Sequence, residues 1–195
     1  LAEDMTTANK ISIFRILLVP VFVIEVLYYA QEGNEIHRLA AIFCFAIASI
    51  SDGVDGYIAR RYNQRTELGA ILDPLGDKLL LVAGIVLLSL NNAPHLPRLP
   101  LWLGVTVVSR DAIILIGMLV IKHTCDHVAV RPALIGKVAT VLLMACILWA
   151  LLKWRREGLV LLSLGAALCA VASIVIYVVA GVRQLSASPS SSPKP

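Results

Sequence analysis

The chain has 195 residues, 58% of them hydrophobic, and a mean hydropathy of +0.83. Soluble domains sit at roughly 45–50% apolar even with glycine counted, so this composition argues against an ordinary soluble domain and for a membrane protein. The formal net charge of +4 suits anionic lipid head groups or phosphorylated substrates, and the absence of a basic stripe interleaved with aromatics argues against a nucleic acid partner.

A helix that crosses a bilayer needs about 20 apolar residues. Residues 1–10, LAEDMTTANK, are acidic and then polar, without the cationic start and short apolar core of a signal peptide. The first span is predicted over residues 11–30, after Asn9 and Lys10. The second covers 38–59 and carries Asp52 and Asp55 towards its end. The third covers 67–90 and carries Asp73 and Asp77 in its first part. The fourth, 101–122, is interrupted by Arg110 and Asp111; the fifth covers 134–153 and the sixth 158–182. Residues 31–37 and 91–100 hold the Gly, Asn and Pro of turns, while 60–66 and 123–133 are polar and contain basic residues.

These short connections predict an all-α, polytopic membrane bundle of six transmembrane helices, running up and down. Residues 1–183 form a single transmembrane catalytic domain in this reading, and 184–195 a disordered Ser/Pro-rich tail. Lys10, Arg15, Arg60, Arg61, Arg65, Lys122, Arg131, Lys137 and Arg183 outnumber the basic residues of the other side, which places both termini and the aspartates in the cytoplasm. The run Lys153-Trp154-Arg155-Arg156 opposes that orientation. Trp102, Trp149, Trp154, Tyr28 and Tyr29 read as interface anchors. Cys44, Cys125, Cys146 and Cys169 have no paired spacing and read as free thiols, and His37, His95, His123 and His127 as solvated loop residues.

The aspartates carry the chemistry. Asp52, Asp55, Gly56 and Ala59 share one helix face, and Gly69, Asp73, Gly76 and Asp77 share another. With a short link between the two helices, four carboxylates can meet at similar depth. Without cations they would repel and take up protons. Pairing with Arg60 and Lys78, proton or ion transport, and binding of hard divalent cations would each resolve the conflict. The small residues on both faces serve close helix packing and clear room for a bulky ligand.

The pattern D-x2-D-G-x2-A-R-x8-G-x3-D-x3-D is met by Asp52, Asp55, Gly56, Ala59, Arg60, Gly69, Asp73 and Asp77. It resembles the signature of the CDP-alcohol phosphotransferase family, and a chance match of these eight positions is on the order of 10⁻¹⁰ per start. The resemblance implies transfer of a phosphatidyl-type group from a CDP-linked lipid, CDP-diacylglycerol, to an alcohol, with release of CMP. It implies Asp52, Asp55, Asp73 and Asp77 as ligands of two divalent ions, Mg²⁺ or Mn²⁺, with Asp77 also the catalytic base. It implies CDP binding by Asp52, Gly56, Ala59, Arg60 and Gly69, and a homodimer. A bacterial inner membrane, or the matrix face of a mitochondrial one, is the setting that follows.

Three further segments bear on the acceptor. Asn9-x-x-Ser12-x-x-Arg15 resembles the opening of the phosphatidylglycerophosphate synthase and eukaryotic-type cardiolipin synthase branches, though an ordinary snorkelling arginine would look the same. Arg131-Pro132, Gly136, Lys137 and Thr140 resemble a segment of both branches. Arg110, Arg131 and Lys137 would together make a pocket for an acceptor phosphate. The Ser109-Arg110-Asp111 form lacks the Glu, and the second Arg further on, usual in phosphatidylglycerophosphate synthases, and occurs in eukaryotic-type cardiolipin synthases. The expected acceptor is glycerol 3-phosphate, with phosphatidylglycerol as the alternative. A cation-coupled transporter would use the same aspartates, but it would hold them at mid-membrane on broken helices.

Overall fold

The computed structural model describes the backbone of residues 7–61, 67–90, 94–124 and 134–186, and the side chains of 11–51, 76, 78–90, 94–117 and 134–182. The described residues form six α-helices and no strand: α1 Thr7–Glu32, α2 Glu35–Arg61, α3 Glu67–Ser89, α4 Leu101–Thr124, α5 Leu134–Leu151 and α6 Arg156–Ser186. Ile11–Glu32, Leu134–Leu151 and Arg156–Val182 are long and apolar enough to cross a membrane, and Lys78–Ser89 is a shorter apolar stretch. Helix α6 runs on to Ser186, past the predicted tail boundary at residue 183.

The chain divides into two compact units. The first comprises Leu1–Leu99 with Ile147–Leu159. In it α1 packs along both α2 and α3, which also touch each other. Phe22, Val26 and Tyr29 of α1 and Ala41, Phe45 and Ala48 of α2 are buried, each set repeating at the four- and three-residue steps of a helix face. The Phe22 and Phe45 rings meet at 5.7 Å between centroids. The α1–α2 turn is built by its sequence. Gly33 takes φ +69°, the left-handed geometry that ends a helix, and its N–H donates to Tyr29 O at 2.9 Å. Asn34 then caps α2, its Oδ1 accepting from Ile36 N at 3.1 Å. At the end of α3, Arg98 Nε donates to Ser89 O at 2.8 Å and satisfies a terminal carbonyl.

Glu35 ties this unit together at the end remote from the aspartates. Its Oε1 accepts from Tyr29 Oη and from Lys153 Nζ, both at 3.1 Å, and its Oε2 accepts from Arg38 Nε. Arg38 Nη1 reaches on to Leu151 O at 3.1 Å. Arg38 and then Lys153 hold the Glu35 carboxyl below the usual glutamate range. A depressed carboxyl contributes stability above its unfolded value, about 4.3, and loses it as pH falls through the folded value beneath. Between about pH 5 and pH 3 the melting temperature in detergent should therefore fall more steeply for the natural protein than for Glu35→Gln. Parallel slopes would mean that the carboxylate contributes nothing.

The second unit comprises Pro100–Cys146 with Val160–Pro195. Its buried positions include Leu103, Val107 and Arg110 of α4, Ala139, Leu143 and Cys146 of α5, and Ser163, Ala166, Ala170 and Ser173 of α6. The α6 set is small throughout, which lets neighbouring backbones approach closely, as membrane helices do. Cys146 Sγ and Ser163 Oγ lie 3.9 Å apart. Cys44, Cys146 and Cys169 are free thiols, as expected, and Cys125 lies outside the described residues.

Three expectations are corrected, for Tyr29, His37 and His123. Tyr29 is 1% exposed and belongs to the core, its hydroxyl donating to Glu35 at the edge of the unit, whereas Tyr28 stays at the surface. His37 is not a solvated loop residue. It sits in the first turn of α2 with Nδ1 2.7 Å from Glu25 Oε2 and its ring stacked on Tyr28 at 5.3 Å. Glu25 and Glu32, seven apart on α1, place two carboxylates beside it, the second at 3.7 Å. His95 packs against Tyr29 and over Gly33, where a Cβ would collide with its ring. His123 belongs to α4, and His127 lies outside the described residues.

Candidate active site

Helix α2 continues unbroken through Asp52, Asp55, Gly56, Ala59 and Arg60, and α3 through Gly69, Asp73 and Asp77. The helical spacings on which the two-face arrangement depends are thus present in the backbone. The side chains of these eight residues lie outside the described set. Among the described residues no group of three or more His, Cys, Asp or Glu is placed to hold a metal.

Gly76, between Asp73 and Asp77, is described and buried. A Cβ there would stand 3.3 Å from Ile16 Cγ1, 3.7 Å from Arg15 Cδ and 3.9 Å from Ser12 O. The aspartate turn of α3 therefore rests closely on the Ser12–Ile16 turn of α1, where even a Cβ would require Ile16 to give way. Arg15 is 0% exposed and Ser12 is buried beside it. Arg15 does not snorkel. A cation is brought inside the protein against the segment that carries two carboxylates, which is where a buried charge is best tolerated. The sequence reading noted this arginine but left it out of the site. The apolar residues on both sides of Arg15, with Gly76 and two aspartates on a facing helix, were the available signal.

On α4, Arg110 is 8% exposed and its Nη2 donates to Gly136 O at 3.2 Å, in the first turn of α5. Thr140 Oγ1 donates to the same carbonyl at 3.1 Å. Asp111 Oδ1 is 3.9 Å from Arg110 Nε, a loose ion pair. Arg110 Nε is buried and makes no hydrogen bond among the described residues. The structure thus brings Arg110 to the turn that carries Lys137, whose side chain is exposed. Arg131, the third predicted cation, lies outside the described residues. Ser173 of α6 completes this cluster and was missed. Its signal was the spacing of Ser163, Ala166, Ala170 and Ser173 along one face.

A family model described as CDP-alcohol phosphatidyltransferase matches residues 5–182. The chain is 35% identical over 140 residues to a protein of Bacillus subtilis (strain 168) named CDP-diacylglycerol–glycerol-3-phosphate 3-phosphatidyltransferase, covering 68% of this chain and 69% of that one. A protein of the same name from Escherichia coli (strain K12) is 33% identical over 145 residues, covering 74% of this chain and 75% of the other. The same figures hold for the protein of that name from Shigella flexneri serotype 5b (strain 8401).

Proposed function

The chain belongs to the CDP-alcohol phosphatidyltransferase family, and from that premise we propose that it transfers the phosphatidyl group of CDP-diacylglycerol to glycerol 3-phosphate. The products are phosphatidylglycerophosphate and CMP. The observation that carries the reaction is the intact eight-residue signature on the unbroken helices α2 and α3. The choice of acceptor is supported by the relatives named for glycerol 3-phosphate.

The donor set suits hard divalent ions: four carboxylates, no thiol and no imidazole, in a stretch where they could not remain ionised alone. Asp52, Asp55, Asp73 and Asp77 would hold two ions, Mg²⁺ or Mn²⁺, which when bound neutralise charge on the leaving phosphate. Asp52, Gly56, Ala59, Arg60 and Gly69 hold the CDP moiety. Asp77 takes the proton of the acceptor hydroxyl as its oxygen bonds to the phosphorus bearing the diacylglycerol. The bond from that phosphorus to the CMP oxygen breaks, and CMP leaves with the electron pair. Arg110, Arg131 and Lys137 bind the acceptor phosphate, the task for which a guanidinium fork and an ammonium are suited. Residues 1–183 act as one catalytic domain with six spans, the aspartates facing the cytoplasm, in a homodimer. A site at the membrane boundary lets the donor keep its acyl chains in the bilayer while the polar acceptor arrives from water.

Purified protein in mixed micelles should release CMP from CDP-diacylglycerol when glycerol 3-phosphate is supplied. Phosphatidylglycerol, inositol phosphate and serine should give background rates. EDTA should abolish the release, and added Mg²⁺ or Mn²⁺ should restore it. Faster release with phosphatidylglycerol would replace the proposed acceptor, and release that survives EDTA would remove the metal ions from the mechanism.

A further inference from the structure

We propose that Gly136 is a positioning residue for Arg110, and that Ser173 of α6 is the wall which makes glycine necessary there. The inference rests on the reading of Arg110 and Lys137 as the cations that bind the acceptor phosphate. Three helices converge on Gly136. Its carbonyl receives Arg110 Nη2 from α4 at 3.2 Å and Thr140 Oγ1 from the next turn of α5 at 3.1 Å. Its missing side chain leaves a gap in which a Cβ would lie 3.1 Å from Ser173 Oγ and 3.4 Å from Arg110 Nη2.

Backbone conformation does not call for glycine at this place, since Gly33 is the glycine with positive φ among the described residues. Glycine is a poorer helix former than alanine, so the space it leaves is the feature to explain. What the space preserves is the close approach of α5 to Ser173, and with it the position of the carbonyl that holds the guanidinium. With one nitrogen tied to the Gly136 carbonyl, the fork is fixed on the turn of α5 that also carries Lys137. Its Nε is buried without a hydrogen bond among the described residues, so it still has a donor to give. An arginine carries five such donors in one plane, and the carbonyl uses one of them. A guanidinium held this way meets a phosphate without first losing its rotamer freedom. Thr140 by itself would say little, because hydroxyls often donate back to the carbonyl four residues before them. Here the same carbonyl also anchors a cation from another helix.

The test is kinetic. Gly136→Ala should raise the KM for glycerol 3-phosphate by about tenfold or more and leave that for CDP-diacylglycerol within about twofold, because the displaced group serves only the acceptor. Gly136→Ala/Ser173→Ala should recover most of the loss. It removes the 3.1 Å approach and leaves the 3.4 Å one, an ordinary van der Waals separation. A Gly136→Ala protein with an unchanged acceptor KM overturns the proposal, as do equal rises in both KM values or no recovery in the double variant. A natural protein that releases no CMP with glycerol 3-phosphate overturns the acceptor reading instead.

Discussion

Asp77→Asn should reduce CMP release at least about a thousandfold while leaving the melting temperature in detergent nearly unchanged. General base catalysis alone is worth about 10²–10⁴. Here the same carboxylate is also proposed as a metal ligand, so two contributions are lost together. Asparagine has the size of aspartate and keeps one carbonyl oxygen, but it carries no charge and cannot accept the hydroxyl proton. Helix α3 passes through this position without a break and should tolerate the change. Asp73→Asn is the comparison that assigns the role. A residue that only binds metal should regain activity as Mg²⁺ is raised, because mass action refills a weakened site. A missing base is not restored by metal. If Asp77→Asn recovers with Mg²⁺ as Asp73→Asn does, Asp77 is a ligand and the base lies elsewhere. If it retains more than about a tenth of natural activity, it is neither.

The helices were legible because their signals are local. A long apolar run, broken only by Arg15 and Glu25 among charged residues, marked α1, and Gly33 with Asn34 marked the turn that follows it through their own backbone preferences. Those residue types announce a turn whatever else the chain does. The side-chain partnerships were not legible, because they join distant parts of the chain. Tyr29 reads as an interface aromatic until its hydroxyl is seen to donate to Glu35, the carboxylate that also accepts from Arg38 and from Lys153, and Lys153 is more than a hundred residues away. The run Lys153-Trp154-Arg155-Arg156 had opposed the inferred orientation. Lys153 is now accounted for in part by Glu35, which accepts from it, and by the Tyr29 ring 5.1 Å beneath its ammonium.

The same distinction applies to the site. The signature on α2 and α3 is compact in sequence, and eight fixed residues were enough to identify the family. The cations proposed for the acceptor phosphate are spread over α4, α5 and the sequence before α5, so residue type alone could nominate them but not connect them. Arg110 could have been half of a structural pair with Asp111. Its 3.9 Å approach to that neighbour and its shorter bond to the Gly136 carbonyl show that it is held chiefly from α5.

Arg15 should matter by its charge more than by its bulk. Removing a large buried side chain costs about 2–5 kcal/mol through lost contacts and the cavity left behind, so Arg15→Ala would confuse unfolding with loss of function. Arg15→Met fills similar space without charge, and Arg15→Lys keeps charge without the planar fork. Arg15 lies wholly inside the protein against Gly76, one residue before Asp77 and three after Asp73. In the proposed site a cation there would offset part of the repulsion among the four carboxylates. Arg15→Met should therefore lower CMP release about a hundredfold while the folded protein persists, and Arg15→Lys should keep an intermediate rate. Phe14→Ala, one residue away but 50% exposed, should stay within about twofold, as surface changes usually do. Full activity in Arg15→Met would make the arginine a spacer. A loss in Arg15→Lys as deep as in Arg15→Met would mean that guanidinium geometry, not charge, is what the aspartate turn requires.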